Sequence, residues 1–151
     1  MVTKESLELL EKQLQNLVPT AQPLPVLVLK SNDENCITAN GDEKQGEVFS
    51  AIFKEKSDVK AIMLINTEYT MLTAQKLTVL KASLDDMAQI VGITAKIAND
   101  FTENTILNCL KKRNACLVKG KGMLVTGRSS KEALTTAVLL EKACRTEILG
   151  E

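Results

Sequence analysis

The chain has 151 residues, of which 44% are hydrophobic and 25% are charged, as in an ordinary folded globular protein. Its 19 Lys and Arg residues balance 19 Asp and Glu residues, and only 3% of its residues are aromatic, so neither bulk charge nor base stacking points to a nucleic-acid or membrane-surface binder. The chain contains no histidine, which excludes a Ser-His-Asp triad, a Cys-His pair and histidine-ligated zinc within one chain.

The first predicted elements are a helix and two strands. Leucines at three- and four-residue steps predict an amphipathic helix over residues 4–17. A proline-containing linker then leads into the apolar run 26–29, which predicts a buried strand, and residues 36–38 predict a short second strand. We expect a single domain over residues 1–151, with residues 1–25 as an N-terminal helix and linker.

The middle of the chain predicts a helix, a buried strand and a further helix. The residues ANGDEKQG predict a polar loop rich in turn formers. The helix that follows carries inward the apolar residues Val48, Phe49, Ile52 and Phe53. The run 59–65 is nearly all apolar and β-rich, which predicts a strand in the middle of the sheet, covered on both faces. Residues 70–81 lack a clean period, and we favour a helix there.

Capping signals predict two more helices, one on each side of a strand. The capping box that begins at Ser83 predicts a helix that Gly92 ends, and residues 93–98 alternate as a strand. A second box, beginning at Asp100, predicts a helix whose last turn holds the basic residues 111–113. The apolar face of this helix carries Ile106, Leu107 and Leu110.

The end of the chain predicts a β-hairpin and a long helix. Two apolar runs, 115–119 and 123–126, flank Gly120-Lys121-Gly122, whose glycines are free to take positive φ. A capping box at Ser129 predicts a final helix, with an inner face formed by Ala133, Leu134, Ala137, Leu140 and Cys144. Hairpin strands are antiparallel, so the elements together predict an α/β fold whose sheet is not wholly parallel.

Lys121, at the tip of this hairpin, is the functional candidate that the residues themselves suggest. As an exposed turn lysine it requires no function, but as a cation aimed into a cleft it would neutralise an anion, and as a desolvated amine it would form a Schiff base. The glycines around it lack the Lys-Ser/Thr pair of a phosphate-binding loop. No metal-ligand spacing occurs in the sequence. We therefore predict no bound metal and no cofactor.

The four cysteines form no C-x-x-C pair, and their irregular spacing does not indicate a disulfide framework. We expect reduced thiols, with Cys109 and Cys116 buried as small hydrophobic residues and neither of them reactive. No stretch reaches the roughly 18 apolar residues of a membrane span, and the polar start of the chain does not resemble a secretory leader. These features predict a cytoplasmic protein that does not enter a membrane.

Several segments resemble the class II aldolase/adducin family. Residues 114–127, followed by a helix with Glu132-Ala133 near its start, resemble the closing hairpin and helix of that family. Residues 57–66 resemble its strand in which an aspartate and a valine precede an apolar run that ends in a His-x-His pair. The resemblance covers roughly residues 42–147. It implies a three-layer α/β/α fold around a mainly antiparallel central sheet.

The same resemblance implies a degenerate active site. In catalytic members, three histidines hold a divalent metal that stabilises an enediolate, and a glutamate ahead of the second helix acts in proton transfer. In this chain Leu64 and Asn66 take the His-x-His positions, Lys121 takes the third histidine position, and Gln45 takes the glutamate position. The candidate site residues are therefore Lys121, Asn66 and Gln45. We expect the Lys121 ammonium to fill part of the volume of the metal, hydrogen-bonded to Asn66.

From the resemblance we expect a metal-free, non-catalytic relative of class II sugar-phosphate aldolases that acts as a binding or assembly protein and forms homo-oligomers. The alternative is a metal-independent lyase or isomerase of a small carbonyl or sugar compound, in which Lys121 forms a Schiff base or acts as an electrostatic clamp. There Asn66 would orient the substrate, and Tyr69 or Glu68 would carry a proton. A third possibility is a subunit that completes a shared site with a histidine-bearing partner.

Overall fold

Five helices and seven strands lie in the described part of this computed structural model, which comprises residues 3–22, 24–31, 36–77, 79–81 and 94–150. The helices are α1 (Lys4–Leu17), α2 (Glu43–Glu55), α3 (Glu68–Lys76), α4 (Glu103–Leu110) and α5 (Ser130–Leu149). The strands are β1 (Val26–Lys30), β2 (Cys36–Ala39), β3 (Ala61–Ile65), β4 (Val79–Lys81), β5 (Thr94–Ala98), β6 (Ala115–Val118) and β7 (Gly122–Gly127).

The strands form one mixed sheet in the order β2-β1-β3-β7-β6-β5-β4. The β5–β6 pair is parallel, and the other pairs of the described strands are antiparallel. All five residues of β3 are buried, as predicted, although β7 rather than β3 takes the central position. The prediction of an α/β fold around a mainly antiparallel sheet is confirmed.

Helices cover both faces of this sheet. On one face, α1, α3 and α5 bury apolar side chains such as Leu14 and Leu140 against the strands. On the other face, α2 and α4 bury side chains such as Phe49 and Ile106. Each of these buried side chains contributes about 1.5–3 kcal/mol of hydrophobic stabilisation. Because successive strand residues point to opposite faces, the residues of β3 alternate between the two cores.

The helix α2 begins earlier than the sequence predicts. The Asp42 Oδ1 atom accepts a hydrogen bond from the Gln45 N–H at 2.8 Å, and the Gln45 Oε1 atom accepts one from the Asp42 N–H at 3.1 Å. This capping box satisfies two amide donors that the start of a helix otherwise leaves unpaired. It places residues 43–46, half of the predicted polar loop, in the first turns of α2, so the loop prediction is wrong there.

Three other predictions require correction. Residues 70–81 divide into the end of α3 and the strand β4, which pairs with β5. The N-cap of α4 is Thr102 rather than Asp100, and the Asp100 carboxylate accepts a hydrogen bond from the Thr102 hydroxyl at 2.8 Å. The basic residues 111–113 follow α4 instead of forming its last turn, because the chain turns at Lys112, where φ is 62°.

The remaining predicted elements within the described residues are confirmed. They include the helix over residues 4–17, the strand over residues 93–98, the hairpin and the final helix, which is capped by Ser129. The helix predicted between Ser83 and Gly92 lies outside the described residues.

Candidate functional site

The candidate site lies where the tip of the β6–β7 hairpin meets the end of β3. Ile65 pairs with Met123 across these strands. Gly122 precedes Met123, and a Cβ atom added to Gly122 would clash with the Ile65 carbonyl oxygen and stand 2.9 Å from the Asn66 Cα atom. Gly122 has a φ of 109°, which L side chains rarely adopt. The glycine therefore lets the hairpin approach the backbone of Asn66 directly.

Lys121 is held at the hairpin tip by its backbone and by an aromatic ring. Its N–H donates a hydrogen bond to the Val118 carbonyl at 3.0 Å, which closes the turn. Its Nζ atom lies 5.6 Å from the centroid of the Phe101 ring, within the range of a cation–π contact. The Phe101 ring in turn packs edge-on against Phe49, with 5.9 Å between centroids. The ammonium therefore lies at the edge of the core beneath α2 and α4.

Asn66 is nine-tenths buried and binds the linker that follows α1. Its Nδ2 atom donates a hydrogen bond to the Gln22 carbonyl at 2.8 Å. The backbone carbonyl oxygen of Asn66 accepts a hydrogen bond from the Ala21 N–H at 2.7 Å. No hydrogen bond among the described residues joins Asn66 to Lys121, so the expected pairing of these two side chains is replaced by separate partners. The side-chain amide and the backbone carbonyl of Asn66 thus hold the linker against the end of β3.

Leu64 and Gln45, the other two residues that the resemblance assigns to the family's active site, have contacts that stabilise the fold. Leu64 lies in β3, buried in the core beneath α2 and α4, and it is paired in register with Leu124. Gln45 lies in the first turn of α2, where its side chain completes the capping box with Asp42. An amide engaged as a cap is not positioned as a proton carrier. The structure therefore brings the hairpin tip that carries Lys121 against the backbone of Asn66, and it gives Gln45 a role in capping.

Glu141 is buried in α5, and the sequence pattern predicted no functional role for it. Its Oε2 atom accepts a hydrogen bond from the Thr67 hydroxyl at 2.6 Å. The Thr67 hydroxyl oxygen also accepts a hydrogen bond from the Thr70 N–H at 3.1 Å, which caps α3. Burial raises the pKa of Glu141 above its ordinary value, against the lowering effects of the Thr67 hydrogen bond and of Arg145. Glu141 follows the inward-facing Ala137 by four residues, and this helical spacing could have placed Glu141 on the inner face.

The proton carriers of the enzymatic alternative lie at the start of α3. Glu68 is exposed and lies in the first helical turn, and Tyr69 packs against the core beneath α1, α3 and α5. The Phe101 ring that holds the Lys121 ammonium packs against the opposite core. Among the described residues, no hydrogen bond, ion pair or ring contact joins either carrier to Lys121.

The side chains that the resemblance assigns to the family's metal positions lack the donor atoms of a metal site. Leu64 has no donor atom, the Nδ2 atom of Asn66 is engaged as a donor to Gln22, and the ammonium of Lys121 repels a dication. Within the described ranges, no group of three or more Cys, Asp or Glu side chains is arranged to hold a metal ion. The polar groups at these positions are therefore the ammonium of Lys121 and the side-chain amide of Asn66, which do not form a metal-binding cluster.

Comparison with known families identifies the fold and its lineage. The family model for the class II aldolase and adducin N-terminal domain matches residues 26–148. The chain belongs to this family. The match includes Leu64, Asn66 and Lys121, so the candidate site lies within the part of the chain that defines the family. No protein of curated function matches the chain by sequence.

Solved structures of the family share this fold at low sequence identity. An L-fuculose 1-phosphate aldolase superposes with a TM-score of 0.76 at 15% identity, covering 99% of this chain and 88% of that one. YgbL from Klebsiella pneumoniae has a TM-score of 0.76 at 18% identity, with 99% and 91% coverage. L-fuculose-1-phosphate aldolase from Thermus thermophilus has a TM-score of 0.73 at 13% identity, with 97% and 95% coverage. At these identities the likeness establishes the fold alone.

No helix within the described ranges is both long enough and apolar enough to cross a membrane.

Proposed function

We propose that this protein is a metal-free relative of the class II sugar-phosphate aldolases that acts as a binding or assembly protein. One observation carries the proposal: the positions that the family resemblance assigns to the three metal-binding histidines hold Leu64, Asn66 and Lys121. A hydrocarbon, an amide bound to a backbone carbonyl and an ammonium do not form the ligand set of a zinc ion. Aldol cleavage by metal-stabilised enediolate chemistry therefore lacks its central group in this chain.

The surroundings of Lys121 support an electrostatic role over a nucleophilic one. A Schiff base forms from a neutral amine, whereas an aromatic ring attracts the charged ammonium. The Nζ atom of Lys121 lies 5.6 Å from the Phe101 ring centroid, within the range of a cation–π contact. A cation held in this way would attract an anionic group of a small sugar-like ligand, and we propose ligands of that class.

We also propose that the protein assembles into homo-oligomers, since the resemblance implies sites that are built between subunits. Chromatography coupled to light scattering on the untagged protein measures this directly. A discrete oligomer of one chain supports the proposal, and a stable monomer contradicts it. A complex that forms only with a histidine-bearing relative would instead favour the shared-site alternative.

The proposed function is tested by offering the protein both a metal and a substrate. Untagged protein is incubated with excess zinc and with L-fuculose 1-phosphate, the compound named for one structural neighbour, and aldehyde release is followed over time. We expect no release above the protein-free rate. Zinc-dependent release that disappears on chelation would overturn the proposal.

Binding is measured separately from catalysis. Thermal unfolding is followed with a panel of small sugar phosphates for the wild type and for Lys121→Met, which keeps the length of the side chain and removes its charge. Stabilisation of the wild type alone supports a ligand site at Lys121. Trapping with borohydride in the presence of ketoses and aldehydes tests the enzymatic alternative, since a mass adduct on the Lys121 peptide would demonstrate a Schiff base.

A further inference from the structure

The exposed large apolar side chains of the described residues are confined to one side of the sheet and to the linker before β1. The two most exposed are Leu9 and Leu17 of α1, at 59% and 57%. Leu72 lies in α3, Leu149 ends α5, and Leu24 lies in the linker. Among the described residues of α2 and α4, no large apolar side chain is exposed. A single exposed leucine is ordinary, but this confinement to one layer indicates a surface that contacts a partner.

The outward face of α1 carries one of these leucines between two opposite charges. The inward face of the helix packs on β1, β2 and α5 through its buried leucines. On the opposite side, Glu5, Leu9 and Lys12 are exposed and follow one another at steps of four and three residues. Residues at these steps are neighbours on one helix face, so the three side chains form a line, which we term the α1 stripe. The stripe offers a partner one apolar contact flanked by a carboxylate and an ammonium.

The two charges of the α1 stripe have no ion-pair partner in the described part of their own chain. Within the described ranges, the single ion pair joins Arg128 to Glu132. Glu5 and Lys12 lie about 10 Å apart along the helix axis, so they do not pair with each other. The carboxylate and the ammonium are therefore available to charges on another molecule.

We propose that α1 packs against α1 of a second copy of this chain, antiparallel and related by a two-fold axis, with Leu9 against the partner's Leu9. Glu5 precedes Leu9 by four residues, and Lys12 follows it by three. In this arrangement Glu5 lies within one residue, about 1.5 Å along the axis, of the partner's Lys12. The two-fold axis repeats this ion pair on the other side of the leucines. Parallel packing would instead oppose carboxylate to carboxylate and ammonium to ammonium.

Charge complementarity selects a second copy as the occupant of this surface. The α1 stripe is complementary to itself, so one surface supplies both the carboxylate and the ammonium that its partner requires. The chain carries 19 positive and 19 negative side chains, so two copies do not repel each other through net charge. The proposal rests on the homo-oligomer proposed above and names its contact surface.

The size of the contact sets its expected strength. A helix of 14 residues covers about 21 Å by 10 Å. This footprint is well below the roughly 800 Å² that each partner buries in a standard interface. We therefore expect an association that depends on protein concentration.

The first test replaces the central leucine. Sedimentation equilibrium of the full, untagged chain gives the dissociation constants of the wild type, Leu9→Glu and Leu72→Glu. Leu9→Glu opposes two carboxylates at the two-fold axis, and we expect at least about tenfold weaker association. Leu72→Glu makes the same change at an exposed leucine of α3, and its dissociation constant should stay within about twofold of the wild type. Both positions are exposed, so the urea midpoints of the variants should remain close to that of the wild type.

The second test reverses the charges one at a time. Glu5→Lys and Lys12→Glu each place like charges together at both ends of the antiparallel pair, so each variant alone should associate at least about tenfold more weakly. An equimolar mixture of the two variants restores opposite charges at both ends. The mixture should associate within about threefold of the wild type, and so should the double variant E5K/K12E by itself. Neither substitution changes a residue of the candidate site.

The outcomes separate this contact from the homo-oligomer as such. An oligomer whose dissociation constant is unchanged by Leu9→Glu and by both charge reversals would overturn the α1 contact and leave the homo-oligomer standing. A wild type that stays monomeric at every concentration would overturn both. Vesicles of anionic lipid that bind this monomer, but not Leu9→Glu, would assign the α1 stripe to a membrane surface instead. If Leu9→Glu does not fold, the charge reversals and their mixture decide the question.

Discussion

Replacing Gly122 with alanine tests how closely the hairpin is seated on the end of β3. The added Cβ would clash with the Ile65 carbonyl oxygen and stand 2.9 Å from the Asn66 Cα atom, and both are backbone atoms that cannot move alone. Gly122 also has a φ of 109°, so alanine is strained there even without the clash. The hairpin must therefore shift away from β3 to accommodate the substitution.

The expected loss of stability follows from these two effects. Holding a residue with a side chain in such a backbone conformation costs about 1–3 kcal/mol. Separating the strands near the Ile65–Met123 pair removes one or two ladder hydrogen bonds, each worth about 1 kcal/mol. Together they give about 2–5 kcal/mol. Gly120→Ala is the matched control, because Gly120 has a φ of 77° and its added Cβ meets no atom within 4 Å. It should lose only about 1–2 kcal/mol from backbone strain.

Urea unfolding of the two variants measures the difference. For a small protein, with a slope of about 2 kcal/mol per molar urea, the midpoint of Gly122→Ala should lie roughly 1 M below that of Gly120→Ala. Equal midpoints would refute the reasoning, because they would mean that the hairpin tip is not pressed against β3. The approach of the hairpin tip to Asn66 would then lose its structural basis.

Three further predictions concern the site and the core. A double-mutant cycle of Lys121→Met and Phe101→Leu should give a coupling of about 0.5–1 kcal/mol in urea unfolding, and no coupling would mean that the ring does not hold the ammonium. Burial raises the pKa of Glu141 above its ordinary 4.5, so the wild type should lose stability relative to Glu141→Gln as the pH rises past 4.5; parallel stability curves would contradict this. The triple variant L64H/N66H/K121H should bind zinc in calorimetry while K121H alone does not, and a folded triple variant without zinc affinity would contradict the assignment of these positions.

The hydropathy pattern was sufficient to predict the elements that bury a continuous apolar face. Strand β3 and the inner face of α5 are examples, because period and burial have the same cause in both. The pattern failed where a single polar contact decides the boundary. The capping box between Asp42 and Gln45 sets the start of α2, although the surrounding residues are typical of a turn. Pairing with β5 decides that residues 79–81 form a strand, and this partner is distant along the chain.

The contacts of the candidate residues could not be predicted from the sequence. The family resemblance identified Asn66 and Lys121 as replacements of metal-binding histidines, and the structure brings the hairpin tip against Asn66. Their partners, the Gln22 carbonyl and the Phe101 ring, come from distant segments, and no local spacing announces them.

Metal content per chain tests the central claim most directly. Untagged protein is incubated with zinc and then with manganese, desalted and subjected to elemental analysis, because an affinity tag would itself supply histidines. The side chains at Leu64, Asn66 and Lys121 predict far less than one metal ion per chain. One tightly held zinc or manganese ion per chain would contradict the account and would direct attention to the cysteines and carboxylates as ligands.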